Sequence, residues 1–224
     1  KRMDLITKIK KIIKTKKTKI CLALDVENTS DLFYFIETLG NYICILKIHY
    51  DIIEMFNETA IKQLNYYKEK FNLLIWEDRK FADIGYIMEK QVNYVSKWAD
   101  IVSVHPIAGL ESVQQIPKSI SIILIGELSS TNNLINEEYK KNVIEISKQV
   151  PNVIGIVCQN KMSDTLLNIV PGISLNEKGD NKGQHYSSLK ERNFADVFVV
   201  GRSIINSEYP EETIKSYINY SEEL

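Results

Sequence analysis

Short apolar runs alternate with amphipathic stretches along the chain. Eight runs of strand length consist largely of apolar residues, and each precedes a segment with apolar residues spaced as on one helix face. Strands that are apolar on both faces and alternate with helices indicate a parallel sheet covered on both sides. The runs begin near Ile20, Ile43, Phe71, Ile101, Ile120, Val153, Ile169 and Val197.

Eight such units predict an α/β fold, a closed (β/α)8 TIM barrel with an extra N-terminal helix. An open doubly wound sheet is the alternative, but no Gly-x-Gly-x-x-Gly follows the first strand. The 224 residues lie in the lower part of the size range of such barrels. We therefore expect residues 1–224 to form a single barrel domain, with residues 1–19 as a basic leading helix.

Three connecting segments give specific helix predictions. Capping residues that begin at Asn28 precede a helix from Asp31 to Leu39. A longer helix is expected from about Asp51 to Tyr67. A weaker helix is expected near Ser163–Leu167.

Polar residues follow almost every apolar run. The carboxyl ends of barrel strands form one rim, the face on which barrel enzymes carry their active sites. If these polar residues served only to keep the surface soluble, they would not need to follow almost every strand. The pattern therefore predicts an active site at this rim. The residues are Asp25, Lys47, His49, Asp78, Lys80, His105, Ser130 and Arg202.

The third apolar run becomes densely charged after Trp76. Alternate side chains of an extended strand share a side, so Asp78 and Lys80 are expected to project together. Taken alone, this segment also fits a salt-bridged strand end. Burying such charges is costly unless they are paired.

The last third of the chain carries a candidate phosphate site. Gly172 follows Pro171 after the seventh run, Gly201 and Arg202 end the eighth, and a polar segment with two further glycines spans residues 176–186. Barrel loops after strands seven and eight commonly bind phosphate through backbone N–H groups, and arginine adds charge-assisted contacts. Flexible loops with a surface arginine are the alternative.

The composition of the chain limits the classes of partner that we expect it to bind. The longest apolar runs fall short of a membrane span. Three distant cysteines lack metal-ligand or redox spacing, which predicts reduced thiols in a cytoplasmic protein. The net charge is −1, yet residues 1–19 hold nine basic residues and one acid. A basic amphipathic helix is compatible with membrane or nucleic-acid binding, but the apolar face around Ile9 and Ile12 predicts a helix that caps the barrel, with neither partner.

The candidate site combines lysine and aspartate side chains in an array of alternating charges. Lys47, Asp78, Lys80 and Asp83 lack the Cys/His cluster of a zinc site, and the lysines already neutralise aspartates that are otherwise suited to Mg2+. A lysine in such an array is able to protonate a developing carbanion, and an aspartate disfavours a neighbouring substrate carboxylate. The residues predict a phosphate-binding barrel enzyme with carbanion-like chemistry and leave the reaction open.

The segment Glu77–Gly85, EDRKFADIG, closely resembles the signature of the orotidine 5′-monophosphate decarboxylase family in its eukaryotic form. The resemblance extends from about Ile20 to Ile204. Further matching segments are Leu24–Val26, Leu46–His49, Glu127–Ser130, Pro171–Ile173, Gly179–Tyr186 and Val200–Arg202.

The resemblance implies decarboxylation of orotidine 5′-monophosphate to UMP and CO2 in pyrimidine synthesis, without metal or cofactor. Lys80 would protonate C6, Asp78 would crowd the substrate carboxylate, and Lys47 would hold the aspartates. The family is homodimeric, so Asp83 would complete the neighbouring subunit's site. The substrate-binding residues would be Asp25 and His49 at the ribose, Ser130 at the pyrimidine edge, Pro171, and Gln184, Tyr186, Gly201 and Arg202 at the phosphate, with the loop before Gln184 as a lid.

Some positions depart from the family pattern. Tyr86 and Ile87 stand where Asn-Thr is usual, and Ile87 has no hydroxyl for the ribose, so weaker substrate binding is expected. His185 and Ser203 replace a common Gln and Gly. Two other functions stay open: a Mg2+-dependent relative such as a hexulose-phosphate synthase, and an inactive nucleotide-binding protein. The chain is expected to be either a monofunctional enzyme or the decarboxylase part of a UMP synthase.

Overall fold

The computed structural model describes residues 2–175 and 188–223, and this part of the chain forms a closed parallel barrel of eight strands in sequence order. The strands are β1 (Ile20–Ala23), β2 (Ile45–Ile48), β3 (Leu74–Phe81), β4 (Ile101–Val104), β5 (Ser121–Ile125), β6 (Val153–Val157), β7 (Leu167–Val170) and β8 (Val197–Val200). The helices are α1 (Arg2–Lys16), α2 (Thr29–Leu39), α3 (Glu58–Lys70), α4 (Gly85–Val95), α5 (Leu110–Gln114), α6 (Glu137–Gln149), α7 (Arg202–Ile205) and α8 (Pro210–Glu222).

The barrel closes because β8 pairs with β1, with Val200 opposite Leu22. Seven of the eight strands are buried along their whole length, as expected for strands that face both the barrel interior and the surrounding helices. The exception is β3, in which Arg79 is exposed and Lys80 half-buried. The predicted (β/α)8 barrel with an extra N-terminal helix is confirmed.

The leading helix α1 covers the amino-terminal end of the barrel. Ile6, Ile9 and Ile12 are buried in the hydrophobic core, whereas most of the lysines of α1 are exposed. Lys16 instead donates hydrogen bonds to the carbonyls of Gly40 and Phe71, at 2.8 and 2.7 Å. The basic helix therefore packs as the predicted cap and leaves the opposite rim open.

One predicted helix is shortened and another is wrong. The segment expected to be helical from Asp51 begins its helix only at Glu58, because the Asn57 side chain caps that helix by accepting the backbone N–H of Ala60. A short 3-10 turn, Tyr50–Ile52, takes the earlier part.

The segment predicted as a helix near Ser163–Leu167 is instead a turn that leads into β7. The Ser163 hydroxyl accepts the backbone N–H groups of Thr165 and Leu166, and the Asn168 side chain accepts those of Met162 and Ser163. These side-chain acceptors replace the carbonyls that a helix would supply.

The described helices include none with the length and apolar character to cross a membrane.

Candidate active site

A lysine–aspartate cluster lies at the carboxyl end of β2 and β3. Asp78 Oδ2 accepts hydrogen bonds from Lys47 Nζ at 2.9 Å and Lys80 Nζ at 2.7 Å. Asp78 is 5% exposed and Lys47 is 8% exposed, so both charges are buried and paired. The sequence prediction that Asp78 and Lys80 project together is confirmed.

The end of β3 reaches this arrangement through an irregular backbone. Regular pairing with β4 stops at Glu77, opposite Val102, and resumes at Phe81, opposite Val104. Lys80 lies in this interval with a φ of 53°, a left-handed conformation that costs free energy for a residue with a Cβ. Simple strand alternation therefore predicted the correct neighbours but not the backbone that brings them together.

Two further predicted residues adjoin the cluster. His49 Nε2 lies 3.7 Å from Asp78 Oδ2 and 3.8 Å from Asp25 Oδ1. Lys47 Nζ is 3.5 Å from the same imidazole nitrogen. The ends of β1, β2 and β3 thus bring together two carboxylates, two ammonium groups and one imidazole.

Burial and charge act in opposite directions on the pKa values of the cluster. Burial would raise the pKa of Asp78, but Lys47 and Lys80 outweigh it and hold that pKa well below its usual range. Burial would lower the pKa of Lys47, but Asp78 and Asp25 raise it overall. Burial and the Lys47 charge together lower the pKa of His49. At neutral pH the site therefore holds an ionised aspartate, a protonated Lys47 and a neutral imidazole.

A cavity of about 210 Å³ opens directly over the cluster. Its wall includes Trp76 and Val157 from inside the barrel, and Leu128 and Ser129 from the loop after β5. A smaller cavity of about 70 Å³ adjoins it at the ends of β7 and β8. The two cavities share Asp25, Lys47, Pro171, Val199 and Arg202.

The adjoining cavity has the glycine-lined wall expected of the candidate phosphate end. Gly172, Gly201, Arg202 and Ser203 line it. Gly201 packs closely on β1, since a Cβ built there would lie 2.9 Å from the Ala23 carbonyl oxygen. The larger cavity is thus lined both by the charged cluster and by Pro171 and Arg202 from the ends of β7 and β8.

Two predicted site residues lie apart from the cluster. Asp83 is exposed just before α4, and its Oδ1 accepts the backbone N–H of Ile84. Ser130 is exposed on the loop after β5, whereas its neighbour Ser129 lines the cavity. Gln184, Tyr186 and the predicted lid lie outside the described residues. Ser129 was missed because the geometry of a loop beyond a strand does not follow from side-chain alternation.

Sequence reasoning also missed Ser103 on β4, which is fully buried beside the cluster. Its hydroxyl donates to Asp78 Oδ1 at 2.6 Å and accepts the backbone N–H of Lys80 at 3.1 Å. A single serine in an apolar strand carries no signal that distinguishes it from an ordinary buried hydroxyl.

Glu77 points to the other face of β3, into an aromatic cluster. It is fully buried, and its carboxyl group accepts 3.3 Å hydrogen bonds from the backbone N–H of Tyr50 and the indole N–H of Trp98. Burial raises the pKa of Glu77 to about 8, although these two donors oppose the shift. Glu77 is therefore largely protonated at neutral pH.

This protonation predicts a pH dependence of stability. From about pH 4.5 to 8 the folded chain keeps the Glu77 proton that the unfolded chain releases, so the free energy of unfolding falls as pH rises. Glu77→Gln removes this titration and keeps a carbonyl acceptor. We expect its stability relative to wild type to increase from pH 5 to pH 8, by at most about 4 kcal/mol, since one proton contributes at most about 1.36 kcal/mol per pH unit.

Urea unfolding of both proteins at pH 5, 6.5 and 8 measures this difference. The exposed Glu145, substituted in the same way, is the control and should give parallel curves. If the free energies of unfolding of Glu77→Gln and wild type differed by the same amount at all three pH values, this result would contradict a protonated Glu77.

Solved structures similar to this chain share its barrel. Orotidine 5′-monophosphate decarboxylase from Methanocaldococcus jannaschii, solved in complex with the inhibitor BMP, aligns with a TM-score of 0.72 at 22% identity, covering 90% of this chain and 97% of that one. Orotidine 5′-phosphate decarboxylase from Pyrococcus horikoshii gives the same TM-score and identity, covering 91% and 99%. At this identity the likeness supports the fold.

Sequence comparison identifies the family. The model of the orotidine 5′-phosphate decarboxylase / HUMPS family matches residues 18–217. Orotidine 5′-phosphate decarboxylase of Candida glabrata is 36% identical over 220 residues, covering 88% of this chain and 83% of that protein. Uridine 5′-monophosphate synthase of Bos taurus is 34% identical over an alignment that covers 94% of this chain and 47% of the synthase. The resemblance seen in the sequence is confirmed, and the chain belongs to the orotidine 5′-phosphate decarboxylase / HUMPS family.

Proposed function

We propose that this protein decarboxylates orotidine 5′-monophosphate to UMP and CO2, in pyrimidine synthesis. The observation that carries the proposal is the ion pair between the buried Asp78 and the half-buried Lys80, 2.7 Å apart, in a cavity that Arg202 also lines. Relatives named for this activity are 36% identical over most of the chain. The pair supplies a fixed negative charge and a proton donor in one place, which this reaction requires.

Asp78 acts on the substrate carboxylate. Lys47 and Lys80 keep Asp78 ionised, so a substrate carboxylate bound beside it meets a fixed like charge in a largely buried site. Departure of CO2 removes that charge and the repulsion with it. The interaction therefore disfavours the bound substrate more than the transition state, which lowers the barrier.

Lys80 supplies the proton. As the bond between C6 and the carboxylate carbon breaks, CO2 leaves and the bonding electron pair stays on C6. The Lys80 ammonium stabilises this developing negative charge and then transfers a proton to C6, giving UMP and a neutral amine. The Lys80 side chain is 32% exposed, so solvent is able to restore its proton after each turnover.

The remaining groups bind the rest of the nucleotide. Asp25 Oδ1 is buried, and within the described ranges no hydrogen-bond donor reaches it, which suits a ribose hydroxyl. His49 stands beside it. Gly201 and Arg202 bind the phosphate, together with Gln184 and Tyr186. Pro171 lines both cavities and packs against the substrate.

The pyrimidine edge has two serine candidates. Ser130 carries the sequence prediction, but Ser129 lines the cavity and is the better candidate. We expect Ser129→Ala to lower kcat/KM about 5- to 50-fold, as for one or two lost hydrogen bonds, and Ser130→Ala to leave it within about twofold of wild type. Steady-state kinetics of both variants decide the assignment, and the reverse pattern would restore Ser130.

We further propose a homodimer in which Asp83 completes the partner's site. Asp83 is exposed and, within the described ranges, forms no ion pair in its own chain. Large apolar side chains on the segments that follow β2, β3 and β4 are also exposed, and water would be excluded from them in a dimer. They are Met55 at 75%, Ile84 at 63%, Tyr86 at 59% and Ile107 at 68% exposure.

The site is proposed to act without metal or cofactor in a single barrel domain, residues 1–224. A cytoplasmic location is supported by three cysteines that are buried and form no disulfide. The partners are the nucleotide and a second copy of the chain, with no nucleic acid or membrane.

The test is the ultraviolet absorbance change when orotidine 5′-monophosphate is added to the purified protein with EDTA present. Loss of substrate absorbance at catalytic protein concentrations supports the proposal. A flat trace overturns it. Turnover of sugar phosphates with Mg2+ would then indicate a hexulose-phosphate synthase-like enzyme, and UMP binding without turnover an inactive nucleotide-binding protein.

A further inference from the structure

Ser103 faces the most irregular part of the barrel. Between the pairs Glu77–Val102 and Phe81–Val104, β3 has three residues where β4 has one. The three are Asp78, Arg79 and Lys80, and the one is Ser103. Regular pairing then resumes, since the backbone N–H of His105 donates to the Phe81 carbonyl at 2.9 Å.

A bulge of this size leaves β3 backbone groups without their regular sheet partners. The Ser103 side chain replaces one of them, because its oxygen accepts the Lys80 N–H at 3.1 Å. Lys80 is also the residue of this bulge with a left-handed φ, 53°. Such a conformation persists only where the surroundings fix it, and this hydrogen bond is one contact that does so.

The same hydroxyl fixes the orientation of the aspartate. Both lysines donate to Asp78 Oδ2, whereas Ser103 donates to Oδ1 at 2.6 Å. Rotation of the carboxylate is thereby restricted at both oxygens. Ser103 is fully buried, so no water competes for these two hydrogen bonds.

We propose that Ser103 is a positioning residue that holds Asp78 and the Lys80 backbone in their reactive arrangement. The inference rests on the proposed decarboxylase function. Ser103 does not line the cavity, so it acts through its two neighbours and contributes little to nucleotide binding. Its loss should therefore appear in kcat and leave KM nearly unchanged.

The experiment compares Ser103→Ala and Ser103→Cys with wild type in the decarboxylation assay. Cysteine keeps nearly the volume of serine but is a weak donor, so it separates the hydroxyl from simple packing. Both variants are expected to lose about 10- to 100-fold in kcat, with KM and UMP affinity within about threefold of wild type. Ser121→Ala is the matched control, because Ser121 is also a buried serine but lies at the amino end of β5, away from the charged cluster. This variant should retain wild-type kinetics.

The outcomes separate the two proposals. An inactive wild-type protein would refute the decarboxylase function itself. An active wild type with a Ser103→Cys variant of equal kcat would refute the role of the hydroxyl, even if Ser103→Ala fails to fold. An increase confined to KM would also refute positioning, because it would indicate direct substrate binding.

Discussion

Lys80→Ala is expected to lower kcat by at least about 10³- to 10⁴-fold. General acid catalysis by one side chain typically contributes 10²- to 10⁴-fold, and in the proposed mechanism Lys80 also stabilises the developing charge at C6. The substitution removes one of the two ammonium groups that contact Asp78 and leaves Lys47 at 2.9 Å. We therefore expect the protein to fold and to retain UMP binding at Arg202.

The decarboxylation assay, with UMP binding measured by calorimetry, tests this expectation. Lys141→Ala is the matched control, because Lys141 is an exposed lysine on α6, away from the cavity. Activity of Lys80→Ala within tenfold of wild type would exclude Lys80 as the proton donor. Loss of UMP binding together with activity would instead indicate that Lys80 supports the shape of the site.

Much of the barrel was predictable because its signals are local. Strands covered on both faces must be apolar throughout, which made all eight visible in the sequence. Side-chain caps were equally local: the Asn28 side chain accepts the backbone N–H of Asp31 as expected, and the helix that follows ends at Leu39 as predicted. The wrong helix near Ser163 depended on Asn168, which lies beyond the segment and competes for its backbone N–H groups.

The sequence was sufficient to predict which residues form the charged cluster, but not which contacts hold them in position. Lys47, Asp78 and Lys80 stand at strand ends, and any parallel barrel brings such residues to one rim. The bulge that orients them depends on Ser103, which is 25 residues from Asp78 in sequence. The buried Glu77 was likewise hidden, because a carboxylate within a charged segment normally indicates a solvated side chain.

Asp83→Ala is expected to lower kcat by about 10²-fold or more, since in the proposed homodimer the array loses a charge supplied from the neighbouring subunit. A single chain gives this residue no partner: it is exposed and accepts only the Ile84 backbone N–H among the described residues. If Asp83 and Lys80 serve different sites, an Asp83→Ala chain paired with a Lys80→Ala chain contains one site with both lesions and one with neither.

Mixing the two inactive variants under conditions that exchange subunits should therefore restore activity. Random pairing makes half of the dimers mixed, so recovery should approach about a quarter of wild-type activity per site. Each variant alone and a mixture held below the exchange temperature are the controls. Restored activity requires a site built from two chains, because neither variant regains its missing group within its own subunit. A mixture that stays as inactive as its components, with exchange verified by differently tagged chains, would place Asp83 in its own subunit's site or outside the chemistry.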